Sequence, residues 1–189
     1  MTDCETTNSL TEPSQTTGDS HPSEPAQWMR QPHKGDAARI HRLISECPPL
    51  DLNSVYTYLL LSEYFGATCL LAGENDTLLG FVSGYVPPER PDTLFVWQVA
   101  VHEHARGQSL GRRMLQGLLQ RPALAHIQYL ETTVGPDNRA SRAMFAGLAR
   151  KLLAAVNEQP LFERQMFGEH AHEDEPLLRI GPFTSTSLR

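Results

Sequence analysis

Apolar side chains recur every three or four residues in four segments of the chain, and this spacing predicts four helices. The helix-ending signals agree with it, because Pro48-Pro49 cannot continue the first helix and Gly66 can close the second. The predicted helices cover, in order, Asp36 to the residues before Pro48, 54–65, 108–120 and 138–155.

Continuous apolar runs between these segments predict β-strands. The first two runs are joined by Gly73-Glu74-Asn75-Asp76, a sequence typical of a hairpin turn. The resulting order is α-α-β-β-β-α-β-α-β-β, which predicts a mixed α/β (α+β) domain without internal repeats. The runs lie at 68–72, 78–86, 93–101 and 127–134, with weaker ones at 161–167 and 177–180.

The ends of the chain differ in composition from its middle. Residues 1–28 are rich in Ser, Thr, Glu and Pro and contain acids but no Lys or Arg before Met29, a composition typical of a disordered acidic tail. We therefore predict one domain over 29–183, followed by a short tail at 184–189.

Composition narrows the class of protein. The chain has 189 residues, of which 40% are hydrophobic and 20% are charged, so it can form a packed core. No apolar stretch approaches the roughly 20 residues that cross a bilayer, and no signal peptide is evident. The three cysteines form no CxxC pair, which favours reduced thiols. We expect a soluble cytoplasmic protein that does not enter membranes.

Charge is unevenly distributed, although the net charge is only −6. Residues 106–151 are rich in bases and residues 158–175 are rich in acids. One region could bind an anion and the other a cation, although solvated helix faces are the simpler interpretation of such runs. The bases are balanced elsewhere and no aromatic-basic motif appears, so nucleic-acid binding is poorly supported.

The segment 96–111 carries the clearest chemistry. An apolar strand runs into a loop of small residues, Arg106-Gly107-Gln108-Ser109-Leu110-Gly111, which opens a helix. Such a loop presents unpaired N–H groups and the positive end of the helix dipole to a phosphate. The loop is neither a Walker A motif nor a GxGxxG fingerprint.

This loop resembles the acetyl-CoA site of the GNAT N-acetyltransferases, with Ser109 where that family usually has glycine. The resemblance implies the GNAT fold, a central, mostly antiparallel mixed sheet flanked by helices, and acetyl-CoA as co-substrate without a metal. The cofactor-binding residues implied are Val99, Val101, Arg106, Gly107, Gln108, Ser109, Leu110, Gly111, Asn138 and Ser141.

A closer resemblance covers about Met29 to Phe183. The segments 47–61, 95–101 and 172–180 are similar to those of the L-2,4-diaminobutyrate acetyltransferases of ectoine synthesis, which contribute to osmoprotection. The likeness implies that Asp51, Tyr56, Trp97 and Glu173 bind the substrate, and that the protein is a homodimer. It implies catalytic roles for Tyr56, Glu173 and His172, with Glu173 or His172 as the base and the N–H of Val99 polarising the thioester carbonyl.

Each of these residues also has a structural interpretation. Asp51 could cap a turn, Tyr56 could be a core aromatic, and Trp97 could pack inside the sheet. The cluster His170-x-His172-Glu173-x-Glu175 fits no common metal template, so we predict no metal site.

One departure from the superfamily concerns the proton donor. Many GNAT enzymes have a tyrosine on the helix after the Asn138 motif that protonates the departing thiolate, whereas this chain has Ala143-Met144-Phe145 there. The acid is then Tyr56 or a water, or the thiolate leaves unassisted, which a thiol pKa near about 8.5 allows.

The function that the resemblance implies is transfer of acetyl from acetyl-CoA to the γ-amine of L-2,4-diaminobutyrate. Two alternatives remain open: a GNAT enzyme acting on another amine, such as a polyamine, lysine or a protein terminus, and a non-catalytic acetyl-CoA-binding module.

Overall fold

A computed structural model describes residues 27–168 and 173–184. Within them, four helices flank one seven-stranded sheet. The helices are α1 (Ala37–Ser45), α2 (Val55–Tyr64), α3 (Leu110–Leu119) and α4 (Arg139–Leu152). The strands are β1 (Gln27–Arg30), β2 (Leu70–Glu74), β3 (Thr77–Tyr85), β4 (Thr93–Val101), β5 (Tyr129–Thr133), β6 (Val156–Phe162) and β7 (Glu175–Ile180).

The strands follow the order β1-β2-β3-β4-β5-β7-β6, and β4 with β5 is the parallel pair. All other neighbouring strands are antiparallel. The prediction of a mostly antiparallel mixed sheet flanked by helices is confirmed.

Each face of the sheet has its own core. Leucines of α3 pack with Phe145 of α4 and Leu130 of β5 on one face. On the other face, Tyr58 and the apolar residues of α1 pack on Phe81 and Ala100. Helix α1 covers β3 and β4 on this second face, and the functional cleft described below lies beyond it, towards β5 and β7.

The four predicted helices are confirmed with their ends shifted by one to three residues. Ser54 caps α2, because its Oγ accepts a hydrogen bond from the N–H of Thr57 at 3.3 Å. The strand prediction for 93–101 is confirmed to the residue.

One strand prediction is wrong, and one strand was not predicted. The strand expected at 161–167 lies instead at Val156–Phe162, followed by a 3₁₀ turn at Arg164–Phe167. Strand β1 was not predicted at all, and its first residue precedes the domain start expected at residue 29. Both elements are edge strands, where one side is unpaired and the apolar alternation is weak. Of the disordered tail expected over residues 1–28, residues 1–26 lie outside the described residues, and residues 27 and 28 belong to β1.

Candidate active site

A cleft opens where β4 and β5 separate. The two strands pair only from Thr93 with Tyr129 to Phe95 with Glu131, and beyond that point β4 has no β5 partner. The gap widens into a cleft of about 1010 Å³. Parallel strands that diverge in this way leave backbone N–H and C=O groups of β4 available to a ligand.

The free backbone groups of β4 can be assigned from its bonds to β3. The N–H of Gln98 donates to the Oγ of Ser83 at 3.2 Å, and the N–H of His102 donates to a β3 carbonyl at 2.9 Å. Because successive N–H groups of a strand point to opposite sides, those of Val99 and Val101 point away from β3, towards the gap. Val99 lines the cleft. Its N–H is therefore placed to donate to a thioester carbonyl, as the sequence predicts.

The loop after β4 presents the end of a helix. Gly107 and Ser109 have φ of 77° and 58°, so both lie in the left-handed region. The N–H of Arg113 donates to the carbonyl of Ser109 at 3.0 Å, which leaves the N–H groups of the three preceding residues without an acceptor inside the helix. This geometry suits an anion, as predicted for the cofactor phosphates.

Side chains of the loop hold its shape. The Nε of Arg106 donates to the carbonyl of Val101 at 3.1 Å, Gln108 donates to the carbonyl of His104 at 3.0 Å, and Nη2 of Arg112 lies 3.2 Å from the Oγ of Ser109. Leu110 and Gly111, the last two residues of this loop that are predicted to bind the cofactor, are both buried. A Cβ on Gly111 would lie 2.6 Å from the Sδ of Met144, so this glycine also permits the contact of α3 with α4.

The opposite wall of the cleft is the start of α4. The Oδ1 of Asn138 accepts a hydrogen bond from the N–H of Ser141 at 3.1 Å and caps the helix. Both side chains line the cleft, so the structure brings these two predicted cofactor residues to the same cavity as Val99. Phe145, one turn further along α4, lines it as well, and because its phenyl ring has no hydroxyl group it offers no proton to a leaving group.

Three of the predicted substrate residues meet in this cleft: Asp51, Trp97 and Glu173. The backbone carbonyl of Asp51 accepts a hydrogen bond from Nε2 of Gln98 at 2.8 Å, which ties the loop before α2 to β4. A Cβ on Gly135 would lie 3.0 Å from a carboxylate oxygen of Glu173, so this glycine leaves room for the acid beside β5.

The apolar pattern of β4 favours a core position for Trp97, but the structure places its side chain outside the core. The register of β3 and β4 shifts between Ser83 and Gly84, so that Trp97 is an extra residue on β4. Its side chain is 44% exposed and lines the cleft. The bulge therefore turns a residue of an apolar strand towards a ligand.

Of the predicted catalytic residues, Tyr56 does not line the cleft. Tyr56 is 67% exposed on α2, whereas Tyr58, two positions on, is fully buried and accepts a hydrogen bond from the N–H of Asn53 at 3.3 Å. The roles predicted for Tyr56 stay predictions, because the cleft of one chain does not include it. His172 lies outside the described residues, as does His170.

Sequence analysis missed a buried acid at the floor of the cleft. Glu131 is fully buried between Arg90, in the loop before β4, and Arg179 on β7. A glutamate inside the apolar run 127–134 was the available signal, because a buried carboxylate requires partners.

The thiol of Cys47 lacks the lowered pKa that is typical of reactive cysteine nucleophiles. Its Sγ lies 3.4 Å from the carbonyl of Val101, close to the loop 106–111. Burial raises the pKa of this thiol, and the neighbouring guanidinium of Arg106 offsets only part of that effect. A neutral thiol disfavours an acetyl-cysteine intermediate and favours direct transfer between bound substrates.

The described residues contain neither a candidate metal centre nor a candidate membrane span. In residues 27–168 and 173–184, no three His, Cys, Asp or Glu side chains lie together as metal ligands would. In the same part of the chain, no helix has the length and apolar content to cross a membrane.

The chain matches the model of the acetyltransferase (GNAT) family over residues 37–149. It is 56% identical over 178 residues to the L-2,4-diaminobutyric acid acetyltransferase of Bordetella parapertussis, an alignment that covers 92% of this chain and 96% of that protein. The enzyme of the same name from Halomonas elongata is 44% identical over 162 residues, 85% of this chain and 84% of that protein.

A solved structure agrees with these similarities. The diaminobutyrate acetyltransferase from Paenibacillus lautus, in complex with its substrate L-2,4-diaminobutyric acid and coenzyme A, matches with a TM-score of 0.82 at 40% identity. The match covers 85% of this chain and 97% of that one. The ribosomal-protein-S18-alanine N-acetyltransferase from Escherichia coli, 16% identical with a TM-score of 0.63, shares the fold.

Proposed function

We propose that this chain, which belongs to the acetyltransferase (GNAT) family and within it to the L-2,4-diaminobutyric acid acetyltransferases, transfers acetyl from acetyl-CoA to the γ-amine of L-2,4-diaminobutyrate. The observation that carries the proposal is the match to the Paenibacillus lautus enzyme, which was solved with that substrate and coenzyme A. The product is N4-acetyl-L-2,4-diaminobutyrate.

Acetyl-CoA binds in the gap between β4 and β5. Its phosphates lie against the loop 106–111, where backbone N–H groups and the start of α3 offer positive partial charge. Its thioester carbonyl accepts a hydrogen bond from the N–H of Val99, which is oriented towards the gap before any ligand arrives. The geometry of β4 and of the loop supports this placement.

The amine substrate approaches from the acidic side of the cleft. Asp51 and Glu173 attract its ammonium groups, and Trp97 packs against its carbon chain. An alkyl ammonium with a pKa near about 10 loses its proton before attack, and Glu173 or His172 accepts it directly or through a water. The amine nitrogen then attacks the thioester carbon, forming a C–N bond as the C–S bond breaks.

The leaving thiolate departs without help from α4, because Phe145 stands where a proton donor would be. Coenzyme A thiolate is stable enough at neutral pH to leave in this way or to take a proton from water. The buried, neutral Cys47 is consistent with a single transfer step between two bound substrates.

The proposal includes a homodimer and a cytoplasmic location, and it places the reaction in ectoine biosynthesis and osmoprotection. An unusually apolar surface on and around α2 supports the dimer. The free thiols of Cys47 and Cys69 are compatible with a reducing compartment. The exposed apolar residues of this surface are Leu52, Val55, Tyr56, Leu59, Leu60, Tyr64 and Phe65.

The test is thiol release from acetyl-CoA by the full-length protein with L-2,4-diaminobutyrate, ornithine, lysine, spermidine and a peptide as acceptors. The proposal predicts the highest kcat/KM for diaminobutyrate. Activity with another amine alone would leave the fold assignment intact and reject the substrate. Binding of acetyl-CoA without release for any amine would indicate a non-catalytic module.

A further inference from the structure

Two charged side chains, Arg90 and Glu131, line the floor of the cleft beside the point where β4 and β5 separate, and Arg179 joins them in one cluster. Glu131 has no exposed surface, and Nη1 of Arg90 lies 2.7 and 2.6 Å from its two carboxylate oxygens. Arg179, the cross-strand neighbour of Glu131 on β7, also contacts the carboxylate through Nη1. Two guanidinium groups share one carboxylate, so the cluster carries a surplus positive charge.

The two arginines are not equivalent. The guanidinium of Arg179 stacks on the ring of Tyr129, 3.8 Å from its centroid, and its side chain is 29% exposed. This arginine is fixed by an ion pair and by a cation–π contact. The side chain of Arg90 is 47% exposed and lines the cleft. Among the described residues it hydrogen-bonds through Nη1, which leaves its other N–H groups for a ligand.

The cluster faces the same side of the sheet as the predicted substrate residues. Leu130 packs into the core under α3 and α4, so by strand alternation Glu131 points to the opposite face. Arg179 lies between Leu178 and Ile180 of that same core and points the same way as Glu131. That opposite face is the one on which α1 packs, and the loop before α2, with Asp51, overhangs it.

Positive and negative charges lie in different parts of the cleft. The charge of Glu131 is neutralised by its two arginine partners. Arg90 is the single cation among the cleft-lining residues in the described part of the chain. Asp51, Glu173 and Glu175 supply negative charge elsewhere on the walls. A ligand that carries a carboxylate at one end and ammonium groups along its chain matches this distribution.

We infer that Arg90 binds the α-carboxylate of the amino-acid substrate, and that Glu131 and Arg179 are positioning residues that orient its guanidinium. The inference rests on the proposed function and extends it, because it assigns a partner to the one substrate charge that the predicted acids cannot bind. Anchoring the carboxylate fixes the substrate's Cα end, so that the side-chain amine reaches the thioester. It also makes the enzyme select amino acids over simple diamines.

The test compares two acceptors that differ by the carboxylate alone: L-2,4-diaminobutyrate and 1,3-diaminopropane. For each we would measure kcat and KM with the wild-type protein, Arg90→Met, Arg90→Lys and the control Glu89→Gln, which changes a neighbouring exposed charge. Wild type and Glu89→Gln should prefer diaminobutyrate. Arg90→Met should lower kcat/KM for diaminobutyrate about 10- to 100-fold, mainly through KM, and change that for diaminopropane less than about 3-fold.

The outcomes separate this inference from the proposed function. Arg90→Lys keeps the charge next to Glu131 and should give an intermediate preference, which provides a result if the Met variant does not fold. Equal losses for both acceptors would show a structural role and overturn the inference, as would a wild-type enzyme that does not discriminate between them. A wild-type protein that acetylates neither acceptor would instead reject the proposed function.

Discussion

Phe95 and Glu131 are the last cross-strand pair that β4 and β5 share, and the cleft begins directly beyond them. On one side of this pair the two strands form an ordinary parallel ladder. On the other, the N–H groups of Val99 and Val101 have no strand to bind. A single interruption of the sheet thus creates the cleft in which we propose that the cofactor binds, and the buried carboxylate that holds Arg90 lies beside it.

The carboxylates of the cleft should act on the amine substrate and not on acetyl-CoA. Asp51→Asn and Glu173→Gln each remove a charge while keeping the shape of the side chain. We expect KM for diaminobutyrate to rise about 10- to 100-fold, because an ion pair with an ammonium group is lost. KM for acetyl-CoA should stay within about 2-fold, since its phosphates bind elsewhere.

Steady-state kinetics with each substrate varied in turn provide the measurement, and Glu89→Gln serves as the control. An equal rise in both KM values would contradict separate subsites for the two substrates. A loss of kcat alone in Glu173→Gln would instead identify that residue as the base.

Ser109 is strained by its position at the start of α3. Its φ of 58° is one that a side chain disfavours, and glycine adopts it freely. We expect Ser109→Gly to leave the free energy of unfolding unchanged or to raise it by up to about 1 kcal/mol. KM for acetyl-CoA should stay the same or fall, because the loop keeps its shape with less strain.

The matched control for this position is Ser109→Ala, which keeps a Cβ at positive φ and removes the hydroxyl contact with Arg112. It should be less stable than Ser109→Gly in urea unfolding. If alanine proves more stable than glycine there, the strain assigned to this position is wrong.

Asp36 should make the stability of the protein sensitive to acid. Its carboxylate lies 2.7 Å from both terminal nitrogens of Arg30 and accepts a hydrogen bond from the N–H of His33 at 2.9 Å. Burial opposes ionisation, but the hydrogen bonds outweigh it and lower the pKa of this carboxyl. The folded state therefore releases this proton more readily than the unfolded chain does.

Because the folded pKa is the lower one, this contribution to stability is complete above the unfolded value of about 3.9 and is lost as the pH falls through the folded pKa. Asp36→Asn should lower the free energy of unfolding by about 1–3 kcal/mol at pH 7. The difference in unfolding free energy from wild type should begin to shrink as the pH falls below about 4, and it should shrink further as the pH passes the lower folded pKa, in urea titrations. The exposed Asp76→Asn should show no such gap, and a pH-independent gap for Asp36→Asn would contradict the account.

The two described cysteines should resist alkylation in the folded protein. Cys69 is fully buried, and burial raises the pKa of its thiol to about 11. Cys47 is 3% exposed, and burial raises the pKa of its thiol as well. Neither forms appreciable thiolate at pH 8, so iodoacetamide should modify them only after unfolding. Site-resolved mass spectrometry with and without urea measures this, and rapid labelling of Cys69 in the native protein would refute its burial.

The elements with strong patterns were predictable from the sequence, and the weak edges were not. Strand β4 is apolar at all nine positions except Thr93 and Gln98, because it is the central strand of the sheet and apolar cores lie on both faces of the sheet. Every residue of β6 is exposed and the strand contains Pro160, so no alternation marks it. Strand β1 is a four-residue edge next to a polar tail, and its position depends on pairing with β2.

The candidate site also combines parts that could be predicted from the sequence with parts that could not. The loop 106–111 could be proposed as an anion site because local rules for helix starts and anion binding act within a few residues, whereas Asn138 entered the site through the family resemblance. The bulge at Trp97 depends on how β3 pairs with β4, and the Arg90–Glu131–Arg179 cluster joins three segments distant in sequence. Such long-range contacts leave no periodic signal in the chain, although a glutamate in an apolar strand was a clue to the cluster.

The most direct test of the central claim is the position of the acetyl group on the product. The full-length protein is incubated with acetyl-CoA and L-2,4-diaminobutyrate, and the product is examined by two-dimensional ¹H–¹³C NMR. The account predicts a single product in which the amide couples to the γ-methylene, with the α-amine still free. Acetylation at the α-nitrogen, a mixture of both isomers, or coenzyme A release without an acetylated product would contradict it.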